Sequence, residues 1–200
     1  MKKLFVALTI LVSSFTWVNA QTITVGPMVG LGLSKFIGED AAEDSKFKLG
    51  PEFGASFIFS PQANWGIGAD LLYSIEGAQQ DVSGKTYKNE DSYIRLPLKF
   101  IYFFGDNENS IRPKVFLGPT LGFLMSAKYD GADVKEFYNG FDFGAHVGAG
   151  ANFRIANQIW LNTDVTYTHG FANVAKKILD EQPDVKTQRI ALHVGVLFGI

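Results

Sequence analysis

Hydrophobic and polar positions alternate with a period of two over long stretches of the chain. The clearest stretch runs from Phe141 to Phe153, where every odd-numbered residue is apolar and every even-numbered residue is small or polar. Successive side chains of a β-strand point to opposite faces. The pattern therefore predicts a strand with one apolar face and one small or polar face.

The same alternation recurs along the chain and predicts an all-β fold. The eight predicted strands are Ile23 to Lys35, Phe47 to Phe59, Trp65 to Glu76, Ser92 to Phe104, Arg112 to Ser126, Phe141 to Phe153, Gln158 to Thr168 and Thr187 to Ile200. The seventh strand has the least regular phase, because Trp160 falls on its polar face and Thr163 on its apolar face.

The connections between these strands alternate between short and long. Those at residues 60–64, 105–110 and 154–157 are short, whereas those at residues 36–46, 77–91, 127–140 and 169–186 are long and polar. Outer-membrane barrels have short periplasmic turns and long external loops. The chain is therefore predicted to form an eight-stranded antiparallel up-and-down transmembrane β-barrel in the outer membrane, with both termini in the periplasm.

The first twenty residues have the pattern of a secretion signal. Lys2 and Lys3 precede an apolar run from Leu4 to Phe15, and Val18 and Ala20 are small residues at positions −3 and −1 of a cleavage site. We expect residues 1–20 to be a signal peptide and residues 21–200 to be the barrel domain. A retained N-terminal anchor helix is the alternative.

The amino-acid composition and net charge exclude several kinds of site and argue against one class of binding partner. The chain has no cysteine, which excludes disulfides, cysteine-ligated metals and a cysteine nucleophile. Its net charge of −2 argues against a general nucleic-acid binder. Its 21 glycines and 14% aromatic residues suit a narrow barrel with small residues inside and aromatic residues at its rims.

A secreted soluble barrel with its apolar face inside, like a lipocalin, would show the same alternation. Aromatic residues at the strand ends favour the membrane instead, because they would form two interfacial girdles. The predicted girdle residues are Phe57, Phe59, Trp65, Tyr102, Phe104 and Phe153 at the periplasmic end, with Tyr73 and Tyr167 at the outer end.

Three segments carry a family resemblance: SYIRLPLKFIYFF (Ser92 to Phe104), PKVFLGPTLGFLMSAK (Pro113 to Lys128) and FDFGAHVGAGANFRI (Phe141 to Ile155). They resemble the PorT-like outer-membrane β-barrel domain family, and the tail ALHVGVLFGI resembles its closing strand. The resemblance implies an eight-stranded porin-family barrel, and PorT itself is associated with a protein-secretion apparatus. The motifs are structural, so the resemblance implies no catalytic or binding residue.

The polar face of the predicted strands carries charges of both signs: Glu52, Asp70, Glu76, Arg95, Lys99, Arg112, Lys114, Asp142, Asp164 and Arg189, with Lys48 beside them. We expect a self-neutralising network that fills the lumen, since eight strands leave an interior just wide enough for side chains. An ion or solute path is the alternative. In an antiparallel pair, the numbers of facing residues have a constant sum. A sum of 169–171 for the third and fourth predicted strands places Asp70 beside Lys99 and Glu76 towards Arg95. Arg112, Lys114 and Arg189 would then reach across the lumen to Asp142 and Asp164.

Other candidate chemistry is weaker. His146 and His193 on the inner face suggest a metal site, but no ligand spacing supports one. His169 at the upper rim suggests a lipid-modifying enzyme, but no outward serine and carboxylate pair with it. Residues 175–180 are predicted to form a helical turn, and Tyr129, Phe137 and Tyr138 suggest a contact surface for a partner.

The sequence as a whole predicts a non-enzymatic barrel with a plugged lumen and no cofactor or metal. Its role would be structural, adhesive or accessory. The partners would be outer-membrane lipid and a protein at the external loops, and the barrel would be monomeric. A narrow channel, an accessory part of a secretion complex and a lipid-modifying enzyme are the alternatives.

Overall fold

The computed structural model describes residues 22–42, 45–82, 85–106, 108–177 and 183–200. Eight long strands make up most of this part of the chain. They are β1 (Thr22–Ile37), β2 (Lys46–Ser60), β3 (Trp65–Val82), β4 (Lys85–Phe103), β5 (Ile111–Tyr129), β6 (Phe141–Ala156), β7 (Ile159–Gly170) and β8 (Lys186–Gly199). The predicted signal peptide, and the anchor helix considered as its alternative, lie outside the described residues.

The strands form one closed antiparallel sheet. Each strand pairs with its neighbours along the chain, in the order β4-β3-β2-β1-β8-β7-β6-β5, and the pairing of β4 with β5 closes the ring. The eighth strand pairs with the first, for example at Leu31 and Leu192. The predicted eight-stranded up-and-down barrel is confirmed. Within the described residues, no helix has the length and apolar character needed to cross a membrane.

The two ends of the barrel differ. We call the end with the three short connections, at residues 61–64, 104–110 and 157–158, the turn end. Thr22 of β1 pairs with Ser60, and the backbone N–H of Gly199 of β8 donates to the carbonyl oxygen of Gln158, so both also lie at this end. The opposite end, where β3 meets β4 and where the connections at residues 38–45, 130–140 and 171–185 lie, we call the hairpin end.

The outer face is apolar and the interior is polar. Leu117 and Val29 are each 60% exposed on the outside, whereas Lys114 is 1% and Asn162 0% exposed inside. A soluble barrel with an apolar interior is thereby ruled out. Trp160 is also buried in the interior, and Thr163 lies on the outer face, so the predicted phase of the seventh strand is correct.

Seven of the eight predicted girdle residues lie on the outer face of their strands, and Phe104, directly after the end of β4, is 50% exposed. Trp65 stacks on Phe100 at a centroid distance of 6.2 Å, and Tyr73 packs against Phe53 at 5.2 Å. With a rise of about 3.3 Å per residue and a tilt of about 40°, Trp65 and Tyr73 of β3 lie about 20 Å apart along the barrel axis. That spacing is close to the height of a lipid-facing band.

The sequence prediction of a loop at residues 77–91 is wrong. β3 and β4 continue as a paired hairpin as far as Val82 and Lys85. Gly77 adopts a φ of +135° within this hairpin, a backbone conformation that favours glycine. The polar composition of the segment and this glycine are typical of a loop, but the strands pair through them.

The connection after β5 is also more ordered than predicted. A turn at Asp130 and Gly131 leads into a two-residue strand, Ala132–Asp133, that pairs back onto β5. A single 3-10 turn, Lys135–Phe137, follows. Ala175 forms an antiparallel bridge with Tyr138, so the predicted helical turn does not begin there, and its residues 178–180 lie outside the described residues.

Candidate functional site

Strand β4 shows how the barrel interior is layered. From the hairpin end to the turn end its buried residues on the inward parity are Asp91, Tyr93, Arg95, Pro97, Lys99, Ile101 and Phe103. After Asp91 comes an aromatic ring, then two cations with Pro97 between them, then two apolar side chains. Tyr93, Arg95 and Lys99 each belong to a different group of contacts across the lumen, and Ile101 and Phe103 belong together to a fourth, so the interior is filled from one end to the other.

The first charged group, which we call the upper network, consists of Glu52, Glu76, Arg95, Asp142, Arg189 and His193. Arg95 donates to both carboxylate oxygens of Glu76, at 2.9 and 2.6 Å, and to Asp142 at 2.5 Å. A two-pronged guanidinium contact of this kind fixes geometry as well as charge. Asp142 also accepts a hydrogen bond from Thr187 at 3.1 Å.

Arg189 connects the rest of the upper network. It lies 2.9 Å from Glu76 and 3.2 Å from Glu52, and it donates to Ser74 at 3.1 Å. The other oxygen of Glu52 lies 2.7 Å from the Nε2 atom of His193. Strands β2, β3, β4, β6 and β8 are thus tied together across the lumen by adjoining ion pairs.

The second charged group, the lower network, consists of Asp70, Lys99, Lys114 and Asp164. Lys99 lies 2.6 Å from Asp70 and 3.3 Å from Asp164, and Lys114 lies 2.9 Å from Asp164. Ser56 donates to Asp70 at 2.6 Å, and Lys114 donates to Asn162 at 2.5 Å. Two carboxylates face two ammonium groups, so the lower network is neutral.

An apolar plug fills the turn end of the lumen. It consists of Ile58, Ile101, Phe103, Phe116, Trp160 and Leu197, all buried. Arg112 covers it, with its guanidinium 4.1 Å from the centre of the Phe103 ring. Arg112 donates to the carbonyl oxygen of Ala63 at 2.6 Å. Its predicted ion pair with Asp142 or Asp164 is therefore wrong.

A smaller apolar cluster lies at the hairpin end. Tyr93, Leu124 and Ala127 are buried there, and Val134 and Tyr138 pack against them. Arg95 of the upper network lies 4.2 Å from the centre of the Tyr93 ring. The charged groups are thus enclosed between apolar side chains at both ends, where water has little access.

Both predicted pairs on β3 and β4 form, but the predicted register is wrong. Asp70 contacts Lys99 and Glu76 contacts Arg95. The facing residues are instead Gly68 with Lys99 and Leu72 with Arg95, which give a sum of 167. Long side chains reach diagonal neighbours across a strand pair, so the contacts survive a shift of two or four residues. Of the predicted cross-lumen contacts, Lys114 with Asp164 forms, whereas Arg189 binds Glu52 and Glu76 instead.

The three histidines have separate surroundings. His193 contacts Glu52, and His146 lies against Phe116 with no hydrogen-bond partner among the described residues. His169 lies on the outer face, with its ring 5.5 Å from Phe171. The part of the chain that the structure describes contains no group of three or more His, Cys, Asp or Glu residues placed to hold a metal ion.

Two further buried charges lie outside the two networks. Asp91 is 1% exposed, and neither of its carboxylate oxygens has a hydrogen-bond partner among the described residues. Lys48 donates to the carbonyl oxygen of Glu76 at 3.2 Å and lies 3.3 Å from Glu90. The inward parity of Lys48 was visible in the sequence, whereas Asp91 lay in the segment predicted as a loop.

The model of the family described as outer membrane protein beta-barrel domain matches residues 19–176. The chain belongs to this family. No curated protein matches the chain. The membership and the apolar outer wall together make it an outer-membrane β-barrel protein.

Several solved outer-membrane barrels share the fold. OprG from Pseudomonas aeruginosa is 13% identical with a TM-score of 0.60, covering 90% of this chain and 96% of its own. Neisserial surface protein A is 15% identical with a TM-score of 0.56, covering 88% and 96%. A major outer membrane protein from Thermus thermophilus is 12% identical with a TM-score of 0.53, covering 88% and 99%. At these identities the likeness concerns the fold alone.

Proposed function

We propose that this protein is a sealed, non-enzymatic outer-membrane barrel whose activity lies at its hairpin end. In this proposal the hairpin end faces the outside of the cell, and the turn end faces the periplasm with both termini. The carrying observation is the filled lumen, in which the upper network, the lower network and the apolar plug follow one another along the axis.

The energetics of the lumen favour a seal over a channel. An ion crossing the barrel would have to displace Lys99 from Asp70 and Asp164, and Arg95 from Glu76 and Asp142. Separating buried ion pairs leaves uncompensated charges and costs about 3–5 kcal/mol for each pair. The apolar plug beyond them offers an ion no polar group to replace its water.

Conductance in planar lipid bilayers tests the proposal. The wild-type barrel is expected to give no stable single-channel steps. A variant with a cleared plug and lower network, Phe116→Ala with Trp160→Ala, Lys99→Ala and Asp70→Ala, is expected to conduct and serves as the positive control. Stable single-channel steps from the wild type, with a conductance similar to that of the cleared variant, would show that the barrel is a channel and not a seal.

A role in protein secretion is the second candidate. The resemblance to PorT-like barrels supports it, together with large apolar side chains exposed near the hairpin end at Tyr129, Phe137 and Phe171. Membership of the finer PorT-like group is part of this candidate. Affinity purification of the full chain from native membranes, compared with a Phe137→Ser and Phe171→Ser variant, tests it. Loss of the same co-purified proteins from the variant would support it.

A further inference from the structure

A pocket of about 310 Å³ lies at the hairpin end, above the lumen. Strands β1, β3, β4 and β5 form part of its wall, and the segments around Phe137 and Val174 complete it. Val174 is 1% and Ala78 8% exposed, so the pocket has a closed inner surface. Its volume is at the small end of the range for ligand sites, which suits one ring system rather than a lipid chain or a peptide.

Five aromatic side chains line this pocket, and four of them form two pairs. Tyr87 and Tyr129 stack with a centroid distance of 5.9 Å and an angle of 6° between their planes. Phe36 and Tyr138 form a second pair at 6.4 Å. Flat aromatic faces held in pairs attract another ring by stacking and by burial of its apolar area.

Two polar atoms at the pocket lack partners. The hydroxyl oxygen of Ser45 and the side-chain oxygen of Asn89 are both buried and have no hydrogen-bond partner among the described residues. The amide nitrogen of Asn89 donates to the hydroxyl of Tyr138, which holds the Asn89 side chain in place. A buried acceptor without a donor is unfavourable, so a ligand that supplies one donor would relieve that cost.

We propose that this pocket binds a small, weakly polar ring compound that carries one hydrogen-bond donor. The inference rests on the proposed function, because it assigns the hairpin end a ligand. The rings of the Tyr87–Tyr129 and Phe36–Tyr138 pairs contact the ring of the ligand, and the oxygen of Asn89 or Ser45 accepts its donor. Because the lumen beneath the pocket is sealed, the pocket binds the ligand without passing it through the barrel.

Indole and 1-methylindole form a matched pair of probes, since methylation removes the N–H donor and adds a single methyl group to the same ring system. Binding to the full-length mature chain in lipid nanodiscs would be measured by equilibrium dialysis, with empty nanodiscs to correct for partition into lipid. Indole is expected to bind saturably and about tenfold more tightly than 1-methylindole, because the methylated ring leaves the acceptors unpaired.

Two variants locate the site. Tyr87→Ala removes one ring of the stacked pair and should weaken indole binding about tenfold, since the stacking surface is lost. Tyr102→Ala is the matched control, because it removes an exposed tyrosine at the turn end. Indole binding that equals the empty nanodiscs, that is unchanged by Tyr87→Ala, or that equals 1-methylindole binding would overturn the proposal. None of these results would alter the conductance of the wild type, so the two proposals fail separately.

Discussion

Charged side chains inside the barrel depend on partners from distant parts of the chain. Asp70 is 2% exposed and has only Lys99 and Ser56 as polar partners in the described contacts. Asp164 has two cations, Lys99 and Lys114. Loss of Lys99 therefore isolates Asp70 but leaves Asp164 paired.

This asymmetry predicts that one substitution is worse than two. Lys99→Met should lower the free energy of unfolding by about 3–5 kcal/mol, because it leaves a buried carboxylate without a cation. The double variant Lys99→Met with Asp70→Asn should recover much of that loss, since the remaining amide is neutral and still accepts from Ser56. Urea unfolding of the barrel in liposomes, followed by tryptophan fluorescence, measures both.

Lys85→Met provides the control for the Lys99 experiment. Lys85 lies 3.7 Å from Asp130, but its side chain is 65% exposed. Exposed ion pairs contribute about 0–1 kcal/mol, so this variant should unfold almost as the wild type does. A double variant that is no more stable than Lys99→Met alone would contradict the coupling of Asp70 to Lys99 in the lower network.

At the scale of strands, side chains alternate between the two faces, so a residue's position in the alternation determines whether it faces lipid or the lumen. Leu121 of β5 faces Leu96 of β4 on the outer wall. Their inward neighbours in the same ladder are Arg95 and Gly122. A register shift of one residue would place arginine in lipid, so the apolar outer face strongly fixes the pairing.

Leu121→Arg should destabilise the inserted barrel by about 2–4 kcal/mol, because it places a charge on the lipid face near mid-depth. Ala132→Arg, on the exposed short strand at the hairpin end, is the matched control and should change stability little. Folding yield into lipid vesicles and urea midpoints measure both. Equal losses at the two positions would mean that the lipid-facing wall is assigned wrongly.

Alternation in the sequence was sufficient to predict the strands and their two faces, because a lipid-facing barrel repeats one simple pattern. It also predicted the contacts of Asp70 and Glu76, since long side chains tolerate an error in register. It could not predict the partner of Arg112, which is a backbone carbonyl at Ala63. It also missed the paired hairpin beyond Gly77, where pairing in the tertiary structure overrides a polar, loop-like composition.

The whole molecule has two structurally different parts, a barrel with a filled lumen and a projecting hairpin end. Between Trp65 and Tyr73 the outer wall is apolar, as a lipid-facing wall is, and the networks fill the lumen. Beyond Tyr73, β3 continues for about 20 Å along the barrel axis, given the rise and tilt of such strands. The pocket of aromatic rings lies in this projecting part, and it shares Tyr138 with the apolar cluster that covers the upper network.

Because the tip of the β3–β4 hairpin lies beyond both charged networks, shortening it should abolish binding at the pocket without changing the stability of the barrel. Replacing residues 79–88 by an Asn-Gly turn between Ala78 and Asn89 removes Tyr87 and the tip of the hairpin. Asn-Gly suits a two-residue hairpin turn, so the strands below should stay paired. The shortened protein should keep the wild-type stability within about 1 kcal/mol in urea unfolding, because the lipid-facing wall and both networks are intact. It should lose indole binding, which equilibrium dialysis in nanodiscs would show. A barrel that fails to fold after this deletion would mean that the projecting hairpin stabilises the membrane part.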